Sequence, residues 1–66
     1  MGIRIKTTGN TYIDKSKTID SLRTEIRYSN DGFVMINHTT TYSDLTEQIK
    51  PVVVNIKHII EFIEMD

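Results

Sequence analysis

The sequence predicts a small all-β fold of five or six short strands, either barrel-like or a strongly bent antiparallel sheet, with an SH3-like or Sm-like architecture. Of the 66 residues, 24 are β-branched: eleven Ile, four Val and nine Thr. Such side chains suit a pleated sheet better than a helix. Alanine, the best helix former, is absent. Turn signals also recur about every 8–12 residues, as they do in small all-β domains.

The length of the chain predicts one domain, residues 1–66, with a core that is only marginally stabilising. Domains of this size are commonly reinforced by disulfides, a metal or a partner chain. The sequence contains no cysteine, which excludes disulfides and thiolate metal sites. We therefore expect an efficient core, self-association, or both.

The N-terminal residues predict a β-hairpin. Residues 3–6 alternate apolar and polar side chains, residues 8–10 carry turn chemistry, and residues 11–14 resume a strand pattern. The polar residues 15–21 are expected to form a loop over the surface or one short turn.

The middle of the chain predicts a second hairpin, formed by residues 22–28 and 33–41. Residues 22–28 alternate apolar and polar side chains, as a half-buried strand does. Asn30, Asp31 and Gly32 tolerate positive φ, so they predict a turn with Gly32 in that region. The candidate core residues are Ile26, Phe33, Met35, Val53 and Ile60.

The C-terminal third leaves one alternative open. Residues 42–50 are polar and compatible with one helical turn, and Pro51 fits the first residue of a strand. Residues 56–65 have the apolar spacing of an amphipathic helix, which would make the fold α+β. The competing interpretation is a turn at 55–58 followed by a strand at 59–65. We favour the strand, because four isoleucines within eight residues are costly in a helix.

The charge balance restricts the partners. The net charge is −1 and the pI is near 6.0, so no overall field attracts the chain to nucleic acid or anionic membrane. Residues 1–28 carry a net +3 and residues 29–66 a net −4. No apolar run approaches the roughly 18 residues of a membrane span, and the N-terminus lacks a signal-peptide pattern. A cytoplasmic protein without membrane contact is expected.

The residues that carry chemistry are too few and too scattered to predict an enzyme. Only two histidines are present, whereas a zinc site needs three or four ligands. No serine lies in a nucleophile elbow, and the three glycines are isolated, so no glycine-rich phosphate loop exists. We expect no catalytic residues, no metal and no cofactor.

The apolar excess instead predicts a protein-binding module. So many Ile and Val side chains are difficult to bury in 66 residues, so self-association is expected, most simply as a homodimer. The module would serve as an accessory subunit or as an inhibitor of a larger protein. A structural subunit of a larger ring or tube is a further possibility. The candidate partner-binding residues are Ile59, Phe62, Ile63 and Met65.

The alternative function is weak binding of single-stranded nucleic acid. Small barrels bind single strands by stacking bases on aromatic side chains beside a basic groove. The candidate contacts for an anion or nucleic acid are Arg23, Arg27, Tyr12 and Tyr42.

Overall fold

The computed structural model describes residues 2–65, which form five strands and one helix. In chain order the elements are β1 (Ile3–Thr7), β2 (Thr11–Asp14), α1 (Ile19–Tyr28), β3 (Phe33–Thr41), β4 (Glu47–Asn55), a 3₁₀ turn (Ile56–His58) and β5 (Ile59–Glu64). The antiparallel strands form two sheets, with orders β2-β1-β5 and β3-β4. The predicted predominance of strands is confirmed, at 52% of the described residues. The barrel-like form is wrong, because the strands form two sheets that do not close into a barrel, and the chain is mostly β rather than all-β, since it also contains a helix.

Helix α1 replaces the strand that was predicted at 22–28. The Thr18 hydroxyl caps its first turn by accepting from the Ser21 N–H, and the Ser21 hydroxyl accepts from the Thr18 N–H in return. Leu22 is fully buried, and Ile19 and Ile26 pack against the core beside it. These three residues follow helical spacing, i, i+3 and i+7. The strand predicted from the alternating pattern of residues 22–28 would also have Tyr28 on its apolar face, but this side chain is 72% exposed.

The predicted first hairpin is confirmed. The predicted second hairpin, of residues 22–28 with 33–41, is wrong, because residues 33–41 pair with β4. Strand β1 pairs with β2 across the turn at 8–10, whereas β3 pairs with β4 over nine residue pairs. Gly32 has the expected positive φ of 84°, but it joins the helix to β3. Pro51 is the fifth residue of β4 rather than the first residue of a strand.

The C-terminal segment is a turn followed by a strand. The Asn55 side chain accepts from the Lys57 N–H and begins the 3₁₀ turn. Strand β5 then pairs with β1, placing Phe62 opposite Ile5. The favoured strand interpretation is confirmed, and the alternative helix over 56–65 is wrong.

The core lies between the β2-β1-β5 sheet, helix α1 and one face of the β3–β4 pair. Its buried apolar residues are Ile3, Ile5, Leu22, Val34, Ile36 and Val54. Among the predicted core residues, Ile26 packs against this cluster. The prediction is wrong for Phe33, Met35, Val53 and Ile60, which are 45–63% exposed. Val34 and Ile36 of β3 face the core, so Phe33 and Met35, which alternate with them, point away from it.

Hydrogen bonds to side chains, rather than a backbone ladder, connect the two sheets between β2 and β3. The Asn37 N–H of β3 donates to Asp14 Oδ2 of β2 at 2.8 Å. In the reverse direction, the Ile13 N–H of β2 donates to His38 Nδ1 of β3 at 3.1 Å. These two bonds hold β3 beside β2 and therefore set the position of the β3–β4 hairpin.

Candidate functional site

The β3–β4 hairpin, residues 33–55, forms a two-stranded arm with one side facing the core and the other largely exposed, except at Thr39, which is buried opposite Ile49. Side chains alternate between the faces, so Val34, Ile36 and Val54 enter the core. The opposite side carries five exposed apolar residues, here named the outer face: Phe33, Met35, Ile49, Pro51 and Val53. The exposed fractions are 57% at Met35 and 63% at Val53, which is its direct cross-strand partner. The outer face is therefore an apolar surface on a ribbon only two strands wide.

The tip of the arm, residues 42–46, is a tight loop with an apolar residue in an unfavourable conformation. The Leu45 N–H donates to the Tyr42 carbonyl and the Tyr42 N–H donates to the Thr46 carbonyl, both at 2.9 Å. This pattern matches a three-residue hairpin loop whose last residue adopts the left-handed conformation and is usually glycine. Here that residue is Leu45, with φ of 69° and 83% exposure. Neither backbone preference nor burial within this chain favours leucine at the position.

Side-chain hydrogen bonds hold the tip in one shape. Asp44 Oδ1 accepts from the Thr46 hydroxyl at 2.6 Å and from the Thr46 N–H at 3.1 Å. These two bonds lower the pKa of the exposed Asp44 carboxyl. The Tyr42 hydroxyl donates to Gln48 Oε1 at 2.7 Å and links the tip to β4. Leu45 is thus presented on a preformed loop.

A buried carboxylate anchors the base of the arm. Asp14 is fully buried, and it accepts from the Ser16 hydroxyl and the Ser16 N–H as well as from the Asn37 N–H. Burial alone would raise the pKa of Asp14, but these bonds together with the charge of Lys17 lower it below its ordinary value of 3.8. Lys15, the next residue along the chain, forms an ion pair with Glu47 of β4. The anchor thus holds the arm through both of its strands.

A shallow pocket of about 250 Å³ lies beside this anchor. Its lining residues are Asp14, Lys15, Ser16, Asn37, Thr39 and Ile49. Most of the accessible lining is carbon, because the carboxylate of Asp14 and the ammonium of Lys15 are already engaged by their partners. The two charged groups of the pocket are thus already paired within this chain.

Pro51 blocks the free edge of the arm. Because the Asn37 N–H donates to Asp14, Asn37 and its register partner Pro51 form a non-hydrogen-bonded pair. The backbone nitrogen of Pro51 consequently faces the outer edge of β4, where proline offers no donor. A proline at this place interrupts any continuous ladder with another strand. The face of the arm, rather than its edge, is the surface available for association.

The structure does not bring the four predicted partner-binding residues together on one surface. Ile59 and Phe62 pack against the core. Ile63 lies on the other side of β5, where it is 44% exposed and lines a groove with Arg4 and Lys6. Met65 is half-buried. Whether any of these residues binds a partner remains a prediction, but they are not a single apolar patch.

The predicted contacts for nucleic acid are also dispersed. Arg23 and Arg27 lie one turn apart on the exposed side of α1, not on a strand. Tyr12 packs against the core and meets the ring of His38 edge-to-face at 5.3 Å. Tyr42 lies at the tip of the arm. Neither the pocket beside Asp14 nor the groove at Arg4 and Lys6 is lined by any of these four residues.

The sequence does not predict the arm. It predicts Phe33, Met35 and Val53 in the core and is compatible with one helical turn within residues 42–50, whereas residues 33–55 form a hairpin. A signal for the tip was nevertheless present. Asp44 lies two residues before Thr46, the spacing of an Asx turn, between two stretches rich in strand-forming residues.

No family model, curated protein or solved structure matches this chain. Within residues 2–65, no group of three or more His, Asp or Glu side chains is arranged to hold a metal ion. The part of the chain that the structure describes also contains no helix with the length and apolar character needed to cross a bilayer.

Proposed function

We propose that this chain is a non-enzymatic binding module that acts through protein–protein association, and that it self-associates through the outer face of the arm. One observation carries the proposal. Of the nine large apolar side chains that are exposed in residues 2–65, six lie between positions 33 and 53. Contiguous exposed apolar patches commonly mark protein interaction sites.

A second copy of the chain is the occupant that best fits the arm. Residues 40–51 are all exposed, so this half of the arm lies largely outside the core. A two-stranded hairpin alone is marginally stable in water, and a small domain gains stability when a partner buries its apolar surface. A standard interface of about 800 Å² per partner would take about one sixth of the 4840 Å² surface. A two-fold homodimer would cover the outer face of both arms at once.

The test is the oligomeric state of Val53→Glu compared with Ile63→Glu. Both positions are exposed apolar residues on strands, but only Val53 belongs to the outer face. The carboxylate introduced at position 53 would be desolvated twice per dimer, at a cost of about 1–3 kcal/mol each. The dissociation constant should therefore rise roughly 30-fold or more, while Ile63→Glu should remain dimeric.

Sedimentation equilibrium over a range of protein concentrations measures both variants beside the wild type. A wild type that stays monomeric at the highest concentration would refute self-association. Dissociation by Ile63→Glu but not by Val53→Glu would instead assign the interface to the β2-β1-β5 sheet. Thermal denaturation followed by circular dichroism verifies that each variant is folded.

A further inference from the structure

We infer that two arms pack antiparallel, outer face on outer face, about a two-fold axis at Ile49, so that Leu45 of each chain contacts Val53 of the other. This arrangement rests on the proposed self-association and specifies its geometry. It also assigns a role to Leu45, whose conformation and exposure the fold of a single chain does not explain.

The spacing of the exposed apolar residues supports a two-fold axis. Leu45, Ile49 and Val53 are 83%, 64% and 63% exposed and lie four residues apart. Ile49 and Val53 both lie on β4, where four residues at about 3.4 Å each span roughly 14 Å. Leu45 lies in the loop just before β4 begins at Glu47. A two-fold axis at Ile49 places Leu45 of each chain against Val53 of the other, and Ile49 against Ile49. Each of these apolar residues therefore contacts another apolar residue. Closed dimers require such a self-complementary patch.

The charges of the arm are compatible with the same axis. The axis exchanges Glu47 with Pro51, so the carboxylates of the two chains do not oppose each other at this position. Glu47 is in addition neutralised by Lys15 of its own chain. Like charges placed directly opposite each other would cost stability across the interface. The arrangement avoids this cost on the outer face.

The conformation of Leu45 further favours a contact at this place. A non-glycine residue at positive φ costs free energy in the isolated chain and commonly lies at a functional position. The Asp44–Thr46 and Tyr42–Gln48 hydrogen bonds already order the loop around it. Little conformational entropy is therefore lost when the leucine side chain is buried by a partner. At the base of the other arm, Met35 and Val53 form an exposed apolar pair that can receive it.

Two oppositely charged substitutions test the contact. Leu45→Lys and Val53→Glu should each weaken the homodimer roughly 30-fold or more, because the charge meets an apolar residue at both contacts. In a mixture of the two variants, the heterodimer has one native Leu45–Val53 contact and one new lysine–glutamate pair. The mixture should therefore associate at least about tenfold more tightly than either variant alone, and high salt should reduce that gain.

Native mass spectrometry separates the heterodimer from both homodimers by mass, and sedimentation supplies the affinities. Leu45→Gly is the matched control for folding, since glycine favours the left-handed conformation. It should keep or raise the denaturation midpoint of the monomer and still weaken the dimer.

The outcomes distinguish this inference from the proposed function. If Val53→Glu dissociates the dimer but the mixture shows no recovery, the contact is wrong while the outer face remains the interface. If Leu45→Lys or Leu45→Gly dimerises like the wild type, the contact is likewise wrong. If Leu45→Gly loses its fold, the role given to the tip is refuted. A monomeric wild type overturns both proposals and leaves a different protein as the partner of the arm.

Discussion

Replacing Asp14 with Asn should destabilise the fold, because it breaks the connection between the two sheets. The Asp14 carboxylate accepts from Ser16 through Oδ1 and from the Asn37 N–H through Oδ2. An asparagine has nearly the same shape and keeps one acceptor oxygen, but its other terminal atom is an NH₂ donor. The Asn37 N–H would then face a donor in a buried place, and the arm would lose its anchor.

The magnitude follows from the bonds that are lost. A buried donor without a partner costs about 1–3 kcal/mol, and hydrogen bonds to a charged group are worth more than those to a neutral one. We therefore expect Asp14→Asn to lower the free energy of unfolding by about 2–4 kcal/mol at neutral pH. A chain of 66 residues has a total stability of roughly 3–10 kcal/mol. At the lower end of that range the variant would be close to unfolding at 25 °C.

The pH dependence gives an independent check. Because the pKa of Asp14 is lowered in the folded chain, its ionised form stabilises the fold at pH values above the ordinary value of 3.8. That contribution is lost as the pH falls through the lowered pKa. The difference in stability between wild type and Asp14→Asn should therefore be full at neutral pH and should narrow below about pH 4.

Urea denaturation followed by far-UV circular dichroism measures the effect, with Asp44→Asn as the control. Asp44 accepts from the N–H and hydroxyl of Thr46 just as Asp14 does from Ser16, but it is exposed and makes no bond to another strand in the described residues. At about 1 kcal/mol per molar urea, Asp14→Asn should shift the midpoint by roughly 2 M or more. Equal midpoints for the two variants would refute the anchoring role.

Two further predictions concern stability. Gly2→Ala should lower the free energy of unfolding by about 2–5 kcal/mol, because φ is 122° and a Cβ atom would lie 2.6 Å from Lys15 Cα. Gly32→Ala, at φ of 84° with open space around the residue, should lower it by only about 1–2 kcal/mol. Equal losses of stability in thermal denaturation would contradict the clash at Gly2. Leu22→Ala should cost about 2–5 kcal/mol, since the side chain is fully buried in the core; an unchanged melting temperature would place α1 away from the core.

Local signals were sufficient where a few neighbouring residues decide the conformation. The hairpin turn at 8–10 and the positive φ of Gly32 depend on residues within one turn, and both were predicted. The strand at the C-terminus was also predicted, because branched side chains disfavour a helix there. Helix α1 was missed because Leu22 and Ile26 satisfy both a period of two and helical spacing. Only the contacts of Ile19 and Leu22 with the core distinguish the two.

The amino-acid sequence by itself determined that the chain is rich in strands, and it determined the types of several turns, since composition and short-range sterics act within each segment. The tertiary structure alone decided that β3 pairs with β4 and which side of that pair is buried. A strand that is apolar on both sides, such as β3, has no preferred face until another layer covers one of them. Asp14 and His38 hold β3 so that Val34 and Ile36 meet the core, and Met35 is consequently left on the outer face. The candidate site is therefore a consequence of long-range packing, which no pattern within the segment specifies.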